Sequence, residues 1–110
     1  MSLLALAFAA LGSPPLTATD DGPVYGVGTG TVTTTPVTIT AVGGTPPYTY
    51  SAAYLSGDSA TILNGTTNAP SFRKTSVGIF DIFSGVVRVT VTDAALTTVN
   101  RDVTWQISGS

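Results

Sequence analysis

The sequence predicts an all-β domain, an antiparallel β-sandwich behind an extended N-terminal arm. Three observations predict it. Val and Thr are abundant from Thr31 onward, and both branch at Cβ, which suits a pleated surface better than a helix. Apolar and polar residues alternate with a period of two in several windows, and no window carries a 3.6-residue apolar period. Clusters of Gly, Pro, Asn and Asp cut the chain into short runs at spacings of about 8 to 12 residues, the rhythm of a sandwich.

In chain order, Met1–Leu11 (MSLLALAFAAL) is an uncharged apolar run, too short for the ~20 residues that a membrane-spanning helix needs. Its length fits a secretory leader, and its Ala-rich end before Gly12-Ser13-Pro14 fits a cleavage site, but no Lys or Arg precedes it as a leader requires. Retained, it would expose Leu3, Leu4, Leu6, Phe8 and Leu11 unless something covered them. It is therefore expected to be an arm laid against neighbouring subunits, the alternative being that it folds back on its own domain. Ser13 to Gly30 is dense in Pro and Gly and reads as an extended linker with at most a short strand around Val24 to Val27. The expected division is thus 1–30 for arm and linker and 31–110 for the sandwich.

Within the sandwich, Val37, Ile39 and Ala41 alternate with Thr38 and Thr40 up to the turn Gly43-Gly44-Thr45-Pro46-Pro47. Tyr48, Tyr50, Ala52 and Tyr54 alternate next, ending at Ser56-Gly57-Asp58. Weaker strands cover Ala60–Leu63, closed by Asn64-Gly65, and Ser71–Val77. The clearest alternation is Val87, Val89, Val91 against Arg88, Thr90, Thr92. After Asp93–Thr97 a last strand alternates Val103, Trp105, Ile107 with Asp102, Thr104, Gln106. The expected core is Val37, Ile39, Tyr50, Phe72, Val87, Val89, Val91, Val103, Trp105 and Ile107. Six or seven short strands in a domain near 100 residues point to the immunoglobulin (Ig) architecture.

At 110 residues and 11.1 kDa the chain holds one domain, with no room to enclose a large substrate cavity. Only 9% of residues are charged, and the sequence lacks His, Cys and Glu. That composition excludes a disulfide, a thiolate nucleophile, a Ser–His–Asp triad and any metal site built on His or Cys. A net charge of −2 offers no footprint for a phosphate backbone or an anionic membrane. An enzyme is not expected, and no catalytic, cofactor or metal residue is assigned. Asp20-Asp21-Gly22 with Asp93 could gather oxygens for Ca²⁺, although Asp residues in such settings form local Asx turns more readily. Asp58 and Asp81, on loops at the other end, could form a carboxylate pair, but nothing supplies a groove around them. Gly26-Val-Gly28-Thr-Gly30 lacks the context of a phosphate loop. Arg73-Lys74 and Arg88 could rim an interface or simply guard strand faces. Tyr25, Tyr48 and Tyr54 could present an aromatic contact surface or pack on their own sheet.

The runs Val37–Ser51 (VTITAVGGTPPYTYS), Leu55-Ser56-Gly57-Asp58 and Val87–Ala94 (VRVTVTDA) resemble the Ig-like and PKD-like modules of bacterial surface proteins and tailed-bacteriophage virion proteins. The resemblance covers roughly Thr31 to Ile107. Ala52 stands where such modules usually place a core Trp, and Val87 and Val89 where many phage versions have Trp and Cys, so a repacked core is expected, with Trp105 supplying the volume. The resemblance implies a non-catalytic virion protein, a capsid decoration or tail accessory protein. Its partners would be other virion proteins, major capsid or tail subunits, met as a symmetric homo-oligomer within an assembly through Leu3, Leu4, Leu6, Phe8 and Leu11, and no nucleic acid, membrane or cofactor would be involved. The alternative is a secreted or cell-surface adhesion module that binds glycan or protein through its loops.

Overall fold

The computed structural model describes residues 14–110. Nine strands follow one another: β1 Thr17–Asp20, β2 Val24–Val27, β3 Gly30–Thr33, β4 Ile39–Val42, β5 Thr49–Gly57, β6 Thr61–Leu63, β7 Ser71–Val77, β8 Ile82–Thr92 and β9 Thr98–Ser108. They pair as a four-stranded sheet β2-β9-β8-β5, a three-stranded sheet β3-β7-β6 and a two-stranded sheet β1-β4. All pairings are antiparallel except β2 with β9, which is parallel.

The two smaller sheets are one hydrogen-bonded layer. Thr34 N donates to Phe72 O at 2.8 Å, Val37 N to Pro70 O at 2.9 Å and Ile39 N to Asn68 O at 2.7 Å, so the segment from β3 through β4 runs continuously along the chain that leads into β7. Pro36 interrupts this ladder because it has no donor. The buried Thr34 hydroxyl compensates by donating to Thr35 O at 2.9 Å and accepting from Phe72 N at 3.2 Å. The layers are therefore β1–(β3/β4)–β7–β6 and β2–β9–β8–β5, and the chain switches from one to the other at Asp21-Gly22-Pro23.

The core lies between the layers. Val87, Val89 and Val91 of β8 and Val103, Trp105 and Ile107 of β9 face Val37, Ile39 and Phe72 of the other layer, joined by Leu16, Val24, Val32 and Val77. Every expected core residue is buried except Tyr50, which packs half-buried against the cluster at the edge of its sheet. Trp105 is fully buried, and Ala52 packs partly buried against the same cluster. Gly85 stands directly opposite Trp105 across β8 and β9, and a Cβ there would come within 2.9 Å of the indole nitrogen and collide with the Asp58 carbonyl. The missing side chain is what admits the indole.

The expected linker is corrected in part. Val24–Val27 is a strand, as anticipated, but β1 and the first residue of β3 also fall within 14–30, and Leu16 and Val24 are core residues. The glycine density misleads here because it serves close approach rather than looseness: a Cβ on Gly26 would sit 3.0 Å from the Thr33 carbonyl.

Gly85→Ala tests the packing. Its φ is not one of the positive values, so Ala should gain the usual ~0.4–1 kcal/mol from reduced unfolded-state entropy. Overpacking against a backbone carbonyl and an indole costs about 1 to 3 kcal/mol and wins. The urea midpoint should fall without a change in slope; an unchanged or raised midpoint would contradict this account of the core.

Candidate functional surfaces

Asp93 is the most constrained carboxylate. It is 5% exposed; Oδ2 accepts from Thr45 N at 2.9 Å, and Oδ1 accepts from Thr97 N at 2.9 Å and Ala95 N at 3.0 Å. Ala94 N donates in return to Thr45 O at 2.7 Å. One side chain thus clamps the β4–β5 loop to the β8–β9 hairpin. The Thr45 amide, followed by those of Thr97 and Ala95, holds the carboxyl below the ordinary aspartate value against the opposing effect of burial.

The oxygen cluster considered for Ca²⁺ is not assembled. Asp20 Oδ1 accepts from Gly22 N at 2.9 Å in an Asx turn, and its Oδ2 pairs with Arg101 Nη2 at 2.9 Å. Asp21 Oδ1 accepts from Thr38 N at 2.7 Å. In the β1–β4 register Asp20 stands opposite Ile39 while Thr17 stands opposite Val42, beside the loop that Asp93 clamps, so Asp20 and Asp93 lie toward opposite ends of β1. Among the described residues no three metal-ligating side chains come together.

Asp58 and Asp81 do lie at the same end of the fold, but each is engaged separately: Asp58 Oδ2 accepts from Ser84 N at 3.0 Å, tying the end of β5 to β8, and Asp81 Oδ2 accepts from Gly78 N at 2.7 Å, closing its own turn. The last carboxylate, Asp102, stands in register with Arg88 and forms a two-pronged pair with it, Nε–Oδ1 2.8 Å and Nη2–Oδ2 3.2 Å, which lowers its pKa. All six aspartates therefore accept hydrogen bonds from backbone amides or arginines.

The cations are separated as well. Arg88 sits on the outward face of β8, whereas Arg73 and Lys74 belong to β7 in the other layer. Lys74 Nζ donates to Ser59 O at 3.0 Å and lies 4.9 Å from the centre of the Phe83 ring. Beside it a shallow polar cleft of about 230 Å³ is lined by Ser59, Ala60, Thr61, Arg73, Lys74 and Thr75. The three tyrosines likewise form no single surface. Tyr48 donates to Gly43 O at 2.7 Å at one end of β5, Tyr54 donates to Gly57 O at 2.7 Å toward the other, and Tyr25 sits on β2 at the far edge of the sheet.

Sequence reasoning missed an apolar end. Phe80 is 90% exposed and adopts a positive φ of 71°, and Ile79 and Ile82 beside it are 62% and 67% exposed. Ile82 and Val27 both stand opposite Ser108, which adds the exposed Val27 to the same end. The signal was the run Ile79-Phe80-Asp81-Ile82-Phe83 after Gly78, five residues of which only Phe83 packs on the core. At the opposite end Leu96 and Val42 are exposed beside the Asp93 clamp. There, too, the described chain begins, with Pro14 O accepting from Gly44 N at 2.9 Å. The arm residues Leu3, Leu4, Leu6, Phe8 and Leu11 lie outside the described residues.

Comparison of the chain with family models, curated proteins and solved structures finds no match.

Asp93 makes a pH prediction. Its folded pKa lies below the ordinary 3.8, so the stability it contributes is fully present above about pH 5 and drains away as pH falls through the folded value. Asp93→Asn should unfold at lower urea near neutral pH and lose less further stability between about pH 5 and pH 2 than the parent chain. Parallel acid limbs for the two proteins would show that the clamp is not electrostatic.

Proposed function

We propose that the chain is a non-catalytic assembly protein: an Ig-like β-sandwich that joins a larger particle through the apolar residues Leu3–Leu11, as a decoration or accessory subunit of a bacteriophage virion. The layer order supports the Ig-like part. Taking β3/β4 as one strand and counting without β2, the first, second, fifth and fourth strands form one layer and the third, sixth and seventh form the other, as in the constant-type arrangement. β2 adds to the second layer by pairing in parallel with the last strand.

The observation that supports the functional reading is how the described chain begins. Pro14 is bonded to Gly44, and a Cβ on either Gly43 or Gly44 would strike Pro15 or Asp93. Pro14 and Pro15, which follow the apolar run in sequence, are thereby fixed to the same loop that Asp93 clamps. Burying each aliphatic side chain is worth about 1.5 to 3 kcal/mol, and repetition over a symmetric particle turns such contacts into avidity. The engagement of every aspartate in structural hydrogen bonds supports the absence of catalysis from this reading.

Deletion of Ser2–Leu11 should leave the urea midpoint of the domain within experimental error of the full chain and abolish its incorporation into particles, measured by co-sedimentation. Incorporation of the shortened chain with undiminished affinity would overturn the proposal. So would an intact mass showing that the natural protein begins near Ser13, which would favour an exported adhesion module.

A further inference from the structure

We infer that the Gly78–Asp81 turn and its surroundings, Val27, Ile79, Phe80 and Ile82, are the docking surface for the N-terminal segment of a second copy of this chain, so that copies stack head to tail. The inference rests on the reading of Leu3–Leu11 as partner-binding and names where that segment binds.

The turn is built to present its side chains. Asp81 Oδ2 accepts from Gly78 N at 2.7 Å, Asp81 N donates to Gly78 O at 3.1 Å, and Gly109 N donates to Asp81 O at 2.7 Å, bracing the loop from both sides. At its tip Phe80 takes a left-handed conformation, unfavourable for an aromatic residue, and gains no burial from it. Strain held by three hydrogen bonds around an exposed ring is the pattern of a recognition element rather than a packing solution. Exposed apolar residues gathered in this way mark contact sites.

Reach selects the occupant. Pro14 is anchored beside Gly44, at the Thr92 end of β8, while Phe80 precedes Ile82 at the other end of that 11-residue strand. The two ends are thus about 34 to 37 Å apart at the rise of a strand. Residues 11 and 3 lie three and eleven steps from Pro14, or roughly 10 and 36 to 40 Å along a fully extended chain. Folding back on its own domain, the segment would bring only Leu3 and Leu4 to Phe80. Leu6, Phe8 and Leu11 would be left along the flanks of the molecule. In an end-to-end stack the root of one copy faces the Phe80 end of the next, and all five apolar residues fall within range. The exposed Leu96 and Val42 beside the root then meet the same neighbour.

Charge agrees with this occupant. Met1–Thr19 contains no charged residue, and Thr75–Val87 contains only Asp81, whose carboxylate is already bonded. The contact buries no unpaired charge. Because the two surfaces differ, the interface is heterologous, and it propagates into a ring or a filament according to whether the rotation closes.

The test is sedimentation velocity across a concentration series with three proteins: the full chain, the Ser2–Leu11 deletion, and the double variant Phe80→Asn/Ile82→Thr. Asn tolerates the left-handed conformation, so the double variant should keep the parent urea midpoint or exceed it. The full chain should self-associate with increasing concentration, and each altered protein should weaken that association by about tenfold or more. Mixed together, deletion and double variant should form a one-to-one pair and nothing larger, since each retains one half of the interface. A full chain that stays monomeric throughout overturns the inference, and so does a double variant that associates like the parent. Either result leaves particle incorporation through the segment standing as a separate finding. Self-association as described, with no loss of incorporation on deletion, would instead retain the docking surface and remove the proposed attachment.

Discussion

An indole and the absence of a side chain opposite it hold this domain together. With no disulfide and no metal-ligating cluster among the described residues, the interior has only apolar volume to work with, and Trp105 is its largest fully buried unit. The space it fills exists because Gly85 faces it across β8 and β9, and because Val87, Val89 and Val91 carry the same inward alternation along the rest of that strand. From this centre the long β8–β9 pair extends to both ends of the molecule. Its hairpin carries Asp93 at one end and its outer ends adjoin the Phe80 turn at the other, so the two ends inherit their separation from the core strands.

The scarce charges are used for geometry. Each carboxylate closes a turn, ties a loop or pairs with an arginine in register, and Lys74 caps the open edge of the core over Phe83. All six aspartates are thereby held by partners within the fold. What remains to mediate contact is apolar and polar-neutral surface.

The alternation that made β8 and β9 legible in the sequence is a direct image of one buried face, and it located every fully buried residue of those strands from Val87 to Ile107 that was expected there. Gly85 and the start of β8 escaped because a strand with a glycine in its inward row breaks the pattern the eye follows. The stretch before Gly30 escaped for a related reason. Pro and Gly ordinarily announce irregular chain, but here Gly26 permits backbone contact with Thr33 and the four-residue strands are too short to show a period. The Asx turns expected of Asp20 and Asp93 are present, yet the long-range clamp from Asp93 to Thr45 spans 48 residues and has no local signature. The Phe80 end was hidden because exposure of an apolar run is a tertiary property: Ile79 and Ile82 read like core residues until the register places only Phe83 inward.

The edges of the sheets offer little to a partner strand laid alongside them. Exposed strand edges invite pairing, and proteins blunt them by shortening or bulging the edge strands. Three of the four edge strands here are only three or four residues long, β1, β2 and β6. The fourth, β5, is nine residues long, but its register slips between Tyr54 and Ser56, which interrupts any flat ladder a neighbour could continue. The outward face of the larger sheet is lined in the middle by Thr90, Asn100 and the Arg88–Asp102 pair, groups already satisfied by one another. Sideways association would have to strip water from these polar groups for little apolar return. At the ends the balance reverses, since Phe80, Ile79 and Ile82 at one and Leu96 and Val42 at the other are already exposed to water and lose nothing polar on being covered. The same short edges that keep the molecule from zipping sideways leave its two ends as the surfaces with most to gain from a partner.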